Sequence, residues 1–132
     1  MPARTNAAKL LIKPASTLWC SDPSRLAIIG PLPDGVRPTD AFSEADTAVA
    51  FVDDASALDR FLADEGNALT GPGVLWIAYP KGGRADINRD SLWPRVAALG
   101  LRPITQVALD EVWSALRFRP LRPDEAPFTG GQ

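Results

Sequence analysis

Gly73-Val74-Leu75-Trp76-Ile77-Ala78-Tyr79-Pro80-Lys81-Gly82-Gly83-Arg84-Ala85-Asp86-Ile87-Asn88-Arg89-Asp90 reads as a core strand, a turn and a helix cap. Val74 to Tyr79 are six consecutive apolar residues. Without polar alternation both faces of the strand must be covered, the pattern of a central parallel strand. Pro80 has no N–H to donate to a ladder, so the strand stops there. Lys81-Gly82-Gly83-Arg84 then makes a cationic turn at the strand's carboxyl end, where open α/β sheets place their ligand crevice.

Upstream, Thr47 to Val52 is a second continuous apolar run, stopped by Asp53-Asp54, both suited to cap a helix from Ala55. In that helix Leu58, Phe61 and Leu62 share one face, and Asp59, Arg60, Asp64 and Glu65 face away. Either the helix tolerates Gly66 and Leu69 continues the apolar stripe, or Gly66 ends it and Asn67 to Leu69 is an extra turn; Thr70 to Gly73 then turn the chain into the central strand. Strand, helix and strand form a βαβ unit. Earlier still, a strand is expected over Ser16 to Cys20, then a short helix to about Ile29 capped by Ser21 or Asp22 with Pro23 at its first position. Gly30 to Gly35 is irregular, Val36 to Thr39 is a weak edge strand, and residues 1–8 are expected to be frayed.

Downstream, Asn88 or Asp90 caps a helix over about Ser91 to Leu99, with Pro94 in its first turn and Trp93, Val96 and Ala97 as its buried stripe. Gly100 ends it. Leu101 to Leu109 and Val112 to Arg119, separated by Asp110-Glu111, read as an antiparallel hairpin. In its second strand Val112, Ser114, Leu116 and Phe118 share one face and Trp113, Ala115, Arg117 and Arg119 the other; one face is expected to be core. Residues 1–120 are thus read as a single α/β domain, and Leu121 to Gln132 as a disordered tail.

The chain has 132 residues, long enough for one domain with a real core. It has no histidine and one cysteine, Cys20, which removes Ser-His and Cys-His nucleophile pairs and an intrachain disulfide. No metal site and no cofactor are expected from such a set. A formal charge of -2 gives no reason to expect nucleic acid, and no apolar run is long enough for a membrane helix, so a cytoplasmic protein is the default. The charge is unevenly spread, acidic from Asp40 to Glu65 and basic from Lys81 onward, which could align two copies or draw an anion to the basic half.

Parallel strands linked by helices and finished by an antiparallel hairpin match a reduced Rossmann-like sheet of the class I methyltransferase kind. Lys9-Leu10-Leu11-Ile12-Lys13-Pro14, Gly30-Pro31-Leu32-Pro33-Asp34-Gly35-Val36, Leu75-Trp76-Ile77-Ala78-Tyr79-Pro80-Lys81 and Asp110-Glu111-Val112-Trp113-Ser114-Ala115-Leu116-Arg117 resemble DUF3052, a bacterial family of unknown function. The resemblance spans nearly the whole chain. It implies no activity, so no residue takes a catalytic role from it.

The candidate chemistry gathers at the strand ends. A nucleoside-type cofactor needs glycines after the first strand so that the backbone can approach it. Here Cys20-Ser21-Asp22-Pro23-Ser24 stands instead, and Asp40 is a poor partner for a ribose. Lys81 and Arg84 flank two glycines and could hold a phosphate or carboxylate; a structural turn with solvated basic residues is the favoured reading. Asp53 and Asp54 could hold a cation with Asp86 or Asp110, or cap a helix. Cys20 reads as a reactive thiol or a small buried hydrophobe. Trp113, on a face with Arg117 and Arg119, is the tryptophan that could stack or meet a partner. The leading expectation is a noncatalytic binding or interaction module, as a homodimer or with a partner protein. Its alternative is a methyltransferase-like or nucleotide-binding enzyme using a crevice of Ser21, Asp22, Asp53, Tyr79, Lys81 and Asp110.

Overall fold

The computed structural model describes residues 5–82 and 85–126. One six-stranded sheet has the order β2-β1-β3-β4-β6-β5, built from β1 (Thr17–Cys20), β2 (Arg37–Pro38), β3 (Thr47–Phe51), β4 (Val74–Pro80), β5 (Leu101–Ala108) and β6 (Trp113–Pro120). The first four strands are parallel, and β6 runs antiparallel to both β4 and β5. The expected strand ends shift by one or two residues.

Side chains of β4 alternate between two cores. Leu75, Ile77 and Tyr79 meet Leu58 and Phe61 of α3 (Ala55–Glu65) and Leu92 and Val96 of α4 (Arg89–Ala97). Trp76 and Ala78 meet Ala7 of α1 (Asn6–Lys9) and Ile29 of α2 (Leu26–Ile29), together with Leu10. Each large side chain so buried contributes about 1.5–3 kcal/mol. The strand's unbroken apolar run is the sequence trace of that double cover.

Local rules set the helix ends, with some departures from expectation. Asp54 caps α3 by accepting from the Ala57 N–H at 2.8 Å, and Asp86 accepts from the Ala55 N–H at 2.8 Å. Asn88 and Ser91 form a capping box, so α4 begins at Arg89 and Pro94 falls beyond the first turn; Leu92 and Val96 are its fully buried positions. Arg95 pairs with Asp59 across α3 and α4. Trp93 and Ala97 are only partly buried.

Three expectations are corrected. Residues 6–8 are ordered into α1, with Thr5 as its cap, because the Asn6 amide donates to the Ile28 and Leu109 carbonyls at 2.7 and 2.8 Å; residues 1–4 lie outside the described residues. Both faces of β6 are core: β5 lies outside it, and Leu116 and Phe118 enter one cluster while Trp113 and Ala115 enter the other. Of the segment expected to be a disordered tail, the Leu121 N–H donates to Gly100 and Glu125 is clamped by Arg102, by Arg119 at 2.8 and 2.9 Å, and by the Arg122 N–H; residues 127–132 lie outside the described residues.

The Trp76 indole N–H donates to the Leu10 carbonyl at 2.9 Å in the buried core. Trp76→Phe strands that carbonyl and should lower unfolding free energy by about 1–3 kcal/mol in urea titrations. Hydrogen bonds from Arg119, the Arg122 N–H and Arg102 hold the Glu125 carboxyl well below its ordinary value of 4.5. A carboxyl lowered on folding stabilises above its unfolded pKa and loses that effect as pH falls. Glu125→Gln should therefore lower Tm at pH 7, and the gap to wild type should close as pH drops below about 4.5.

Candidate functional site

From β1 the chain steps outward to β2, then returns to the other side of β1 for β3, so the strand order reverses between β1 and β3. Open α/β sheets bind ligands outside the carboxyl ends of the strands at such a reversal. A cleft of about 310 Å³ lies there, floored by Trp19, Phe51 and Phe61 and rimmed by Ser21, Asp22 and Asp53. Its lining carries four carboxylates, Asp22, Asp53, Asp64 and Glu65, against the guanidinium groups of Arg25 and Arg60. That field repels nucleotide phosphates.

Side chains after β1 tie the strand ends together. The Ser21 N–H donates to the Val49 carbonyl at 3.1 Å, and the Ser21 hydroxyl accepts from the Phe51 N–H at 2.7 Å. Asp22 caps the 3-10 turn Pro23–Arg25, accepting from the Ser24 N–H and hydroxyl at 3.1 and 2.6 Å. The Ser24 hydroxyl, with the Ser24 N–H and Arg25 adding to it, holds the Asp22 carboxyl below its ordinary value. Cys20 is half-buried; burial pushes its thiol up, and its Sγ donates to the Asp22 carbonyl.

Arg25 is the centre of this cluster. Its guanidinium pairs with Asp22 at 3.1 Å and reaches across to Asp53 at 2.8 Å. It lies 4.8 Å from the Trp113 ring centroid and 5.9 Å from that of Phe51. Those two rings meet edge to face at 5.2 Å. The Arg25 Nη1 is buried with no hydrogen-bond partner among the described residues, so its two N–H donors are unused.

Ser21, Asp22 and Asp53 thus come together, and Trp113 joins them through Arg25. Asp53 is no helix cap; only Asp54 is. Trp113 stacks on Arg25 rather than answering to Arg117 and Arg119. The other expected members are elsewhere. Tyr79 is buried on the opposite face, and burial raises its phenol. Asp110 accepts from the Val112 and Trp113 N–H groups, both at 2.7 Å, to shape the β5–β6 turn. Lys81 donates its backbone N–H to the Val112 carbonyl at 2.8 Å and does not line the cleft. Arg84 lies outside the described residues. Among the described residues no three His, Cys, Asp or Glu side chains converge as a metal shell, and no helix is long and apolar enough to cross a membrane. Arg25 was not anticipated, although it is the one cation between Lys13 and Arg37.

The topology finds counterparts among solved structures. A protein of the NADB-Rossmann superfamily from Streptococcus agalactiae superposes with TM-score 0.56 at 12% identity, covering 91% of this chain and 69% of its own. The fold is Rossmann-like. An uncharacterised protein from Listeria monocytogenes serotype 4b gives TM-score 0.60 at 14% identity, over 99% of this chain and 72% of that one. A candidate tRNA (m1A22) methyltransferase from Streptococcus pneumoniae gives 0.55 at 12% identity, over 86% and 67%. These identities establish the fold and carry no activity with them. No family model and no curated protein matches the chain.

Burial decides which contact of Arg25 matters more. The Asp53 side chain is 57% exposed, which leaves its ion pair in the weak surface range of about 0–1 kcal/mol. Trp113 is 8% exposed, so its stacking contact is partly desolvated and worth about 0.5–2 kcal/mol. Double-mutant cycles should give a larger coupling for Arg25→Ala with Trp113→Leu than for Arg25→Ala with Asp53→Asn.

Proposed function

We propose that the protein is a noncatalytic binding or interaction module of the cytoplasm, acting as a homodimer or on a partner protein, built on a degenerate Rossmann-like sheet. The observation that carries this is Arg25, which spans the strand ends where a nucleotide-type cofactor would lie. A glycine-rich turn would leave main chain bare at that place. Instead Ser21 bonds the β3 backbone at Val49 and Phe51, Asp22 bonds Ser24, Arg25 pairs with Asp22 and Asp53, and the surplus of carboxylates opposes phosphate. Kinship with DUF3052 is part of the same proposal and rests on the four motifs that suggest it.

The alternative is a methyltransferase-like or nucleotide-binding enzyme using this crevice. The fold likeness and the open volume of the cleft favour it. Thermal-shift titration of the wild type with S-adenosylmethionine, ATP and NAD separates the two readings, since ligand at 100 times its Kd adds about 2.7 kcal/mol of stability. No saturable change in Tm is expected from any of the three. A saturable rise with one of them would establish the alternative. A rise confined to Arg25→Ala would show the arginine occupying the ligand's room and would uphold the proposal.

A further inference from the structure

The other end of the sheet holds a larger opening. A cleft of about 380 Å³ lies at the amino ends of β1, β3 and β4, with Leu11, Lys13, Pro14, Asp46 and Val74 in its lining. That volume falls within the range of small-molecule sites, about 300–1,000 Å³. It is remote from the strand ends at which Arg25 sits, and nothing about it depends on the reading of that crevice.

One wall is the loop from Leu11 to Ser16, and its backbone is out of keeping with its residues. Leu11 and Ala15 have φ of 64° and 60°. Leu11 ends α1 in a Schellman arrangement, in which its N–H donates to the Ala8 carbonyl and the Ile12 N–H to the Ala7 carbonyl. Glycine is the usual residue at that left-handed position, and another residue costs about 1–2 kcal/mol. Ala15 follows Pro14 in a turn closed by the Ser16 N–H on the Lys13 carbonyl, where a positive φ again favours glycine or asparagine. Leu11 is anomalous twice, because its apolar side chain is also 37% exposed at the cleft. Neither backbone nor burial gives a reason for leucine there. Strain held in place on the wall of a cavity points to work done by the side chain outside folding.

The charges on the cleft are also unmatched. The Lys13 ammonium forms no ion pair among the described residues, and neither does Asp46. The Asp46 carboxylate is nonetheless oriented: its Oδ2 accepts from the Thr17 N–H at 2.9 Å and hydroxyl at 3.2 Å. Its Oδ1 has no donor among the described residues. One fixed carboxylate, one free ammonium and an exposed apolar patch share a single opening.

We propose that this cleft binds a small zwitterion with an apolar side chain, the chemistry of a free apolar α-amino acid. Asp46 takes the ammonium, Lys13 takes the carboxylate, and Leu11, Pro14 and Val74 receive the side chain. The full chain is titrated with leucine, valine and phenylalanine, and with N-acetylleucine and leucinamide, which each lack one charge. At least one of the three amino acids should raise Tm saturably, while N-acetylleucine and leucinamide should bind at least roughly tenfold more weakly than leucine or not at all. Lys13→Ala and Asp46→Asn should each weaken binding by roughly tenfold or more. Leu11→Gly should raise the Tm of the unliganded protein and abolish the response, a combination that a purely structural leucine would not produce. No saturable response to any amino acid overturns the proposal. So does equal binding of the blocked compounds, or binding that survives both Leu11→Gly and Lys13→Ala.

Discussion

Everything in this fold follows from the burial of β4 on both faces. A strand whose neighbouring side chains point to opposite sides cannot hide six apolar residues under one layer. Leu75, Ile77 and Tyr79 require α3 and α4, and Trp76 and Ala78 require α1, α2 and the segment around Leu10. The chain must therefore cross the sheet on alternate sides, and the four-residue helices α1 and α2 survive as lids on the Trp76 side. Neither would be stable alone, since helices of that length do not form in water without tertiary support. The Trp76 bond to the Leu10 carbonyl shows the dependence in one contact: it joins residues 66 positions apart.

The same architecture sets what can happen at the reversal between β1 and β3. Two parallel strands end side by side there, and the backbone groups beyond them need partners. A ligand can supply those partners when the connecting turn is glycine-rich. In this chain the turn supplies them itself, through the Ser21 hydroxyl on the Phe51 N–H and the Asp22 carboxylate on Ser24. Arg25 then bridges what remains. Its strength lies less in the exposed ion pair to Asp53 than in the aromatic surface of Trp113, whose backbone N–H Asp110 holds in the β5–β6 turn.

How much of this could be read beforehand divides along physical lines. The central strands were legible, because continuous apolar runs such as Thr47 to Val52 have one explanation in a small α/β domain. The hairpin was legible from two extended runs around Asp110-Glu111, but the double burial of β6 was not: each of its faces carries polar residues, Ser114 on one and Arg117 and Arg119 on the other, and only pairing with β5 makes β6 an interior strand whose two faces enter the two cores. The missing glycines after β1 were plain in the sequence, and Ser21, Asp22 and Asp53 do converge. Tyr79 and Asp110 misled because nearness to a strand end says nothing of the face a side chain takes; Tyr79 shares its side with Leu75 and Ile77 and is covered by Ile87 and Leu92. Arg25 escaped notice since its partners Asp53 and Trp113 lie 28 and 88 residues away in the chain, beyond any periodicity.

The two ends of the sheet differ in how their local conflicts are resolved. At the carboxyl end Ser21, Asp22 and Asp53 have partners within the chain, and Arg25 Nη1 is buried without one among the described residues. At the amino end Leu11 and Ala15 keep left-handed backbones that glycine would relieve, beside two exposed charges without counterions among the described residues. A domain of this size is stable by only about 5–15 kcal/mol, so two such residues at about 1–2 kcal/mol each are a real fraction of the whole. Folding alone would favour glycine at both. The amino end, rather than the crevice that the fold makes conspicuous, is where the chain keeps backbone strain that folding does not repay.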